Sequence, residues 1–249
     1  MTQARKRVEL TFEVPYTHPS WVLEDEKVSE SAAHDGAARV VDSTWRAWAR
    51  RHDRVVSVYR NLAVRWDEDN PRVGADPDVC LLEPPPATPE VGLTSLRTWV
   101  EGDEPPKVAL EVVSEGNPRK DYEVSPRKYA AAGLQELWVF DPNRFGPSDD
   151  GGPWVLQVWE RNKRGDFRRV YAGDGPAWSE YFRAWLVVSA DGMLLRMADD
   201  EEGTRLWPTE AEEAELARAD AERARADAEA LQARVAALEA QLAAARGGR

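Results

Sequence analysis

Apolar positions recur along the chain with two different periods, and each change of period marks an element. Between residues 29 and 51 the positions His34, Ala38, Val41, Trp45 and Trp48 fall at i, i+4, i+7, i+11 and i+14, the stripe that one face of an α-helix buries. Short β-like runs follow at 55–60, 62–66 and 78–82. Asp67-Glu68-Asp69-Asn70-Pro71 turns the chain between the second and third, and Pro84-Pro85-Pro86 ends the third. A further strand is predicted over 95–101. Residues 108–113 form a continuous apolar run interrupted only by Glu111, as in a strand covered on both faces. Ser125-Pro126 supplies an N-cap and first-turn pair for a short helix ending at Gly133. A second buried strand spans 137–140, closed by Asp141-Pro142. Beyond it, 154–159 and 167–171 read as a hairpin, and 185–188 and 193–197 as more β-structure around Asp191-Gly192. This order predicts an α/β domain, a mixed sheet flanked by helices with extra hairpins.

The pattern changes abruptly at Trp207-Pro208-Thr209. Residues 210–246 hold no Gly, Pro or aromatic side chain, and Ala-Asp-Ala-Glu occurs at 219–222 and again at 226–229. Leu231, Val235, Leu238 and Leu242 lie on a seam that extends back through Ala228, Ala224, Ala221, Ala217 and Ala214, the steps alternating three and four. That is the coiled-coil period. The expected organisation is therefore a domain over 1–207 and a coiled-coil tail over 208–249. The tail is a helix of roughly 55 Å that makes the chain a homodimer or other homo-oligomer. A single solvated helix, held by neighbouring charges such as Glu222 and Arg225, is the alternative.

Composition narrows the class. Hydrophobic residues at 42% and charged residues at 31% are ordinary for a folded chain. Several of the eleven Trp fall inside the apolar stretches. A net charge of −12 argues against a general nucleic-acid coat protein, because non-specific phosphate affinity comes from Lys and Arg. Any nucleic-acid site must then be local. Arg46, Arg50, Arg51 and Arg54, with Lys163 and Arg164, are candidates for backbone contacts, or else solvated surface. Cys80 stands alone, so no intrachain disulfide can form. The first fourteen residues lack a signal-peptide core and no segment has a membrane-spanning apolar run, which gives the expectation of a cytoplasmic protein with no membrane partner.

Glu111 is the most informative position. A carboxylate inside such a run must be protonated, paired with a cation or bound to a metal. Asp78, at the mouth of another apolar strand, reads singly as a turn residue. Two acids at comparable ends of core strands are a different matter, because hard oxygen ligands brought together suit Mg²⁺. His34 lies one turn after Glu30 on the first helix, as a core histidine or a phosphate contact. The three histidines show no zinc spacing, and neither a phosphate-binding G-x-x-x-x-G-K-S/T loop nor a G-x-S-x-G elbow occurs.

Pro77-Asp78, Glu111-Val112-Val113-Ser114, Asp121, Tyr129, Gly133 and the run Glu136-Leu137-Trp138-Val139-Phe140-Asp141-Pro142 together resemble the Uma-two family, restriction endonucleases of the PD-(D/E)XK superfamily. The likeness runs from about Glu30 through His34 to Pro142 and continues more loosely beyond. It implies a restriction-endonuclease-like fold and a DNA substrate. It also implies Mg²⁺ (or Mn²⁺) held by Asp78, Glu111 and the main-chain carbonyl of Val112. A lysine should orient the attacking water, yet the superfamily position two after the glutamate is Val113, and the position four before the tyrosine is Ser125. Lys128 and Lys120 are the available substitutes, and Lys128, beside Tyr129 on the expected helix, is preferred. Glu30, His34 and Asp121 are possible supporting residues, Asp121 equally as a helix cap. Two functions follow: a metal-dependent endonuclease, or a catalytically inactive binding or scaffold protein on the same fold that oligomerises through its coil.

Overall fold

Seven strands form the main sheet of the computed structural model, which describes residues 10–12, 17–23, 31–87 and 93–247. In chain order the strands are β1 (Thr11–Phe12), β2 (Ser57–Tyr59), β3 (Ala63–Arg65), β4 (Val79–Leu82), β5 (Ser95–Arg97), β6 (Val108–Val112) and β7 (Glu136–Phe140). They continue with β8 (Leu156–Arg161), β9 (Phe167–Gly173), β10 (Ala177–Ser179), β11 (Ala184–Val188) and β12 (Leu195–Ala198). The helices are α1 (Ala32–Arg51), α2 (Ser125–Ala132) and α3 (Glu210–Gly247). Two compact units result, Met1–Thr209 and Glu210–Arg249. Among the described residues, no helix is long and apolar enough to cross a membrane.

The main sheet runs β1-β9-β8-β7-β6-β4-β2. Its one parallel pair is β6 and β7, joined by the crossover that carries α2, and every other neighbour is antiparallel. All five residues of β6 and of β7 are buried, as the unbroken apolar runs require of central strands. Alternation along the strands then sends side chains to opposite layers. Val79, Leu81, Leu110, Val112 and Trp138 pack with Ala37, Ala38, Val41 and Trp45 of α1. Cys80, Leu82, Ala109, Leu137 and Val139 pack with Tyr129, Ala130 and Leu134 on the α2 side. Burial pushes the Cys80 thiol up, so it stays a protonated core group.

Helix α1 begins where Ser31 caps it, the side chain accepting from the His34 amide at 3.2 Å. Its Trp45 is fully buried, edge-on to Trp138 with ring centroids 5.1 Å apart and against Phe182 at 5.3 Å. Each such large apolar side chain contributes roughly 1.5–3 kcal/mol by burial. The small sheet β10-β11-β12 joins this layer. Strands β1 and β10 have no counterpart in the sequence pattern, and the strand expected over 95–101 stops at Arg97, where a turn carries the chain to Gly102.

The helix expected to start at Ser125 starts earlier. The chain is helical from Pro118, passes through a π-helical turn at Lys120–Val124, and only then becomes α2. Ser125 is no cap: its backbone is helical and its amide donates to the Lys120 carbonyl, five residues back. Pro126 explains the wide turn, since its ring crowds the carbonyl four residues earlier and it has no N–H to give. Gly133, at φ +90°, ends α2 in the left-handed conformation.

Candidate active site

The register of β4 on β6 places the two acids. Val79 pairs with Leu110 and Cys80 with Ala109, so one step further Asp78 stands opposite Glu111, where cross-strand neighbours share a face. Both are buried, Asp78 at 9% and Glu111 at 3% exposure, and both line one cleft of about 1050 Å³ at the carboxyl end of β6.

Their partners are specific. The Val112 amide donates to Oδ2 of Asp78 at 2.6 Å. His34 Nε2 lies 2.8 Å from the Val112 carbonyl and 3.2 Å from the same Asp78 oxygen. Both oxygens facing Nε2 are acceptors, so Nε2 carries the hydrogen and donates. Tyr129, from α2, donates its hydroxyl to Oε1 of Glu111 at 2.7 Å. Asp78 Oδ1 and Glu111 Oε2 accept no hydrogen bond from the described residues. Among the described residues, neither acid is paired with an arginine.

Lys120 and Asp121 come from the π turn. Lys120 Nζ lies 3.5 Å from Asp121 Oδ1, and Ser125 donates its hydroxyl to that same oxygen at 3.2 Å. Burial pushes the Glu111 carboxyl well up from its ordinary range; the Lys120 ammonium opposes this, and the Asp121 and Asp78 carboxylates add to it. Burial likewise raises Asp121, again against Lys120. The Lys120 ammonium is held in its charged form chiefly by Glu111, then by Asp121 and Asp78. One cation thus serves three carboxylates. Tyr129 is raised by burial and by Glu111, which keeps its hydrogen in place for donation.

The sequence reading preferred Lys128. That residue lines the cleft together with Lys120, and the Lys120 ammonium acts on Glu111. Asp121 is buried inside the π turn rather than capping a helix. His34 faces main-chain and carboxylate oxygens, and Glu30 lies outside the described residues. The basic residues proposed for phosphate contacts are elsewhere. Arg46 bonds Asp42 and the Val58 carbonyl, Arg54 grips Glu83 at 2.6 Å, and Arg51 lies over Trp207. None of these, nor Arg50, Lys163 or Arg164, lines the cleft, where the described residues supply the cations Arg119, Lys120 and Lys128 against six carboxylates. Asp141 proves structural: it accepts the amides of Phe145 and Gly146 at 2.9 and 2.8 Å and the Tyr122 hydroxyl at 2.9 Å.

Among the described residues, no group of three or more His, Cys, Asp or Glu side chains is arranged to enclose a metal ion. What the cleft offers is two carboxylate oxygens without hydrogen-bond partners and one carbonyl. Those are hard donors of the kind Mg²⁺ takes in small number, with water and substrate phosphate completing the shell. The donor chemistry fits such a cation.

Comparison with known proteins adds the family. A search of curated proteins gives no match. Among solved structures, the chain is similar to the crystal structure of a "putative nuclease belonging to DUF820" from Anabaena variabilis, at 12% identity and a TM-score of 0.45, covering 64% of this chain and 78% of that one. The family model Uma2, described as "Putative restriction endonuclease", matches residues 23–145, which include α1, Asp78, the β6–β7 crossover and the cleft residues on them. Residues 23–145 belong to the Uma2 family, a nuclease family.

Proposed function

We propose that the domain is a metal-dependent endonuclease that hydrolyses phosphodiester bonds of DNA, with Asp78, Glu111 and the Val112 carbonyl holding Mg²⁺ or Mn²⁺. The observation that carries this reading is that the β4–β6 register sets Asp78 opposite Glu111 in one cleft beside the Lys120 ammonium, each keeping one oxygen without a hydrogen bond from the described residues. A cation bound there would offset charge on the scissile phosphate and acidify a water.

The chain's own residues have separable roles. Lys120, held by Glu111 and Asp121, would hold the attacking water by hydrogen bonding, the role that Val113 cannot fill. Tyr129 fixes the rotamer of Glu111, so that Oε2 faces the cleft. His34 ties the Val112 carbonyl and Asp78 to α1 and keeps two donor groups at a fixed separation. Among the described lining residues six carboxylates stand against three cations, so a polyanion gains little from these side chains alone. Neutralisation by a divalent cation is then needed for the phosphate to approach.

A second reading, a binding or scaffold protein without turnover, is favoured by Val113 at the superfamily's lysine position. Incubation of the full chain with supercoiled plasmid and Mg²⁺ or Mn²⁺, beside Glu111→Gln and an EDTA control, separates the two. Metal-dependent nicking that Glu111→Gln abolishes is expected. Equal cutting by both proteins, or none by either, would leave the second reading.

A further inference from the structure

Helix α3 is 38 residues long, and Leu231, Val235 and Leu238 along it are 64%, 47% and 52% exposed. Three large apolar side chains in successive layers of one seam call for a partner surface. We infer that the partner is a second copy of this chain, and that α3 forms a parallel, in-register, two-stranded coiled coil with it. The inference does not depend on the chemistry of the nuclease domain.

Seam spacing assigns the positions. Steps of three and four put Val235 at a and Leu231 and Leu238 at d, and a β-branched residue at a with Leu at d favours two strands. The residues flanking the seam then choose the direction. In a parallel pair each g position faces the e position five residues on in the other strand. Glu213 meets Arg218, Asp220 meets Arg225, and Arg234 meets Glu239, each twice by symmetry, while Asp227 meets the neutral Gln232. No like charges oppose. Asp220 and Arg223 of one strand approach only to 3.5 Å in an exposed pair, which leaves Asp220 available to the partner.

Apolar area points the same way. Parallel alignment stacks Leu231, Val235 and Leu238 on their own copies. Full-overlap antiparallel alignment would set each against an alanine of the Ala-rich first half, bury less apolar surface and retain fewer opposite-charge pairs. Because each strand continues from Thr209 of its own domain, a parallel coil brings both domains to the same end.

The full-length chain tests this directly. Sedimentation at micromolar concentration should give the mass of a dimer, and a monomer or trimer would overturn the inference. Ala217→Cys, at a d position, should cross-link to itself on mild oxidation, since Cys80 is buried and does not compete. A mixture of Ala217→Cys and Leu242→Cys chains that forms the mixed cross-link instead would establish the antiparallel arrangement and overturn the parallel one. Arg218→Glu with Arg225→Glu should raise the dimer dissociation constant by about tenfold or more. Adding Glu213→Arg and Asp220→Arg should restore it; no restoration would remove the charge pairing on which the direction rests.

Discussion

Tyr129 reaches from α2 to Glu111 on β6, and its hydroxyl gives that buried carboxylate its one hydrogen bond among the described residues, at 2.7 Å. The contact couples packing to site geometry, because the same ring fills the layer between α2 and the sheet. Tyr129→Phe keeps the ring and removes the bond. The loss should destabilise the chain by about 1–3 kcal/mol, the range for stranding a buried polar group, and lower metal-dependent cleavage by roughly 10–100-fold. Urea titration and plasmid-nicking rates measure the two separately. A variant with full activity would show that Glu111 needs no orienting partner.

Lys120 and Lys128 both line the cleft, so replacing each in turn distinguishes their roles. Lys120→Ala removes the ammonium that opposes the rise of Glu111 and holds Asp121. Cleavage should fall by about 100-fold or more. Lys128→Ala should change the rate by no more than roughly twofold, as for a side chain that does not hold the attacking water. The reverse ranking would return the water-orienting role to Lys128.

Why the sequence pointed to Lys128 ahead of Lys120 is a matter of helix phase. The strands were legible because β6 and β7 are unbroken apolar runs, and Glu111 was conspicuous for interrupting one of them. Asp78 could be set near it only from its place at the end of another apolar strand and from the resemblance, since antiparallel register between β4 and β6 leaves no mark in either segment. The helix was misjudged at its start. Ser125-Pro126 resembles a cap and first turn, whereas the chain is already helical at Pro118 and accommodates Pro126 with a π turn. One extra residue turns everything before it by about 100° relative to α2, and no periodicity drawn from Ser125 onward includes Lys120. Asp121, Ser125 and Tyr129 fall at i, i+4 and i+8, which in hindsight was the available signal that the helix continued upstream.

His34 was a candidate for touching phosphate, but its Nε2 faces the Val112 carbonyl and Asp78. If it acts only by holding those groups, His34→Ala should lower kcat by roughly 10–100-fold with KM little changed. Stability should fall by about 1–3 kcal/mol as the Val112 carbonyl loses its donor. Steady-state kinetics on a labelled duplex provide the check. A rise in KM with kcat intact would mean that His34 meets the substrate after all.

Glu136 provides a test of electrostatics away from the cleft. Its carboxylate is 2% exposed; Oε1 accepts Trp138 Nε1 at 2.6 Å and Oε2 accepts the Tyr181 amide at 3.0 Å, with no cation among its partners. Burial outweighs these bonds and pushes its pKa up to about 7, from 4.5. The folded chain therefore holds this proton more tightly than the unfolded chain. Stability is unaffected by Glu136 below about pH 4.5, falls as pH rises through the window, and has lost the full increment above about pH 7. That increment is on the order of 3 kcal/mol. Glu111 and Asp121, also raised, tilt the curve the same way, so the measurement must be a difference. Glu136→Gln, the isostere of the protonated form, should leave stability at pH 5 nearly unchanged. It should flatten the decline between pH 5 and pH 8 by about 2–3 kcal/mol in urea titrations. Parallel curves for variant and parent would mean that Glu136 stays ionised in the fold, its hydrogen-bond donors sufficing to hold the charge.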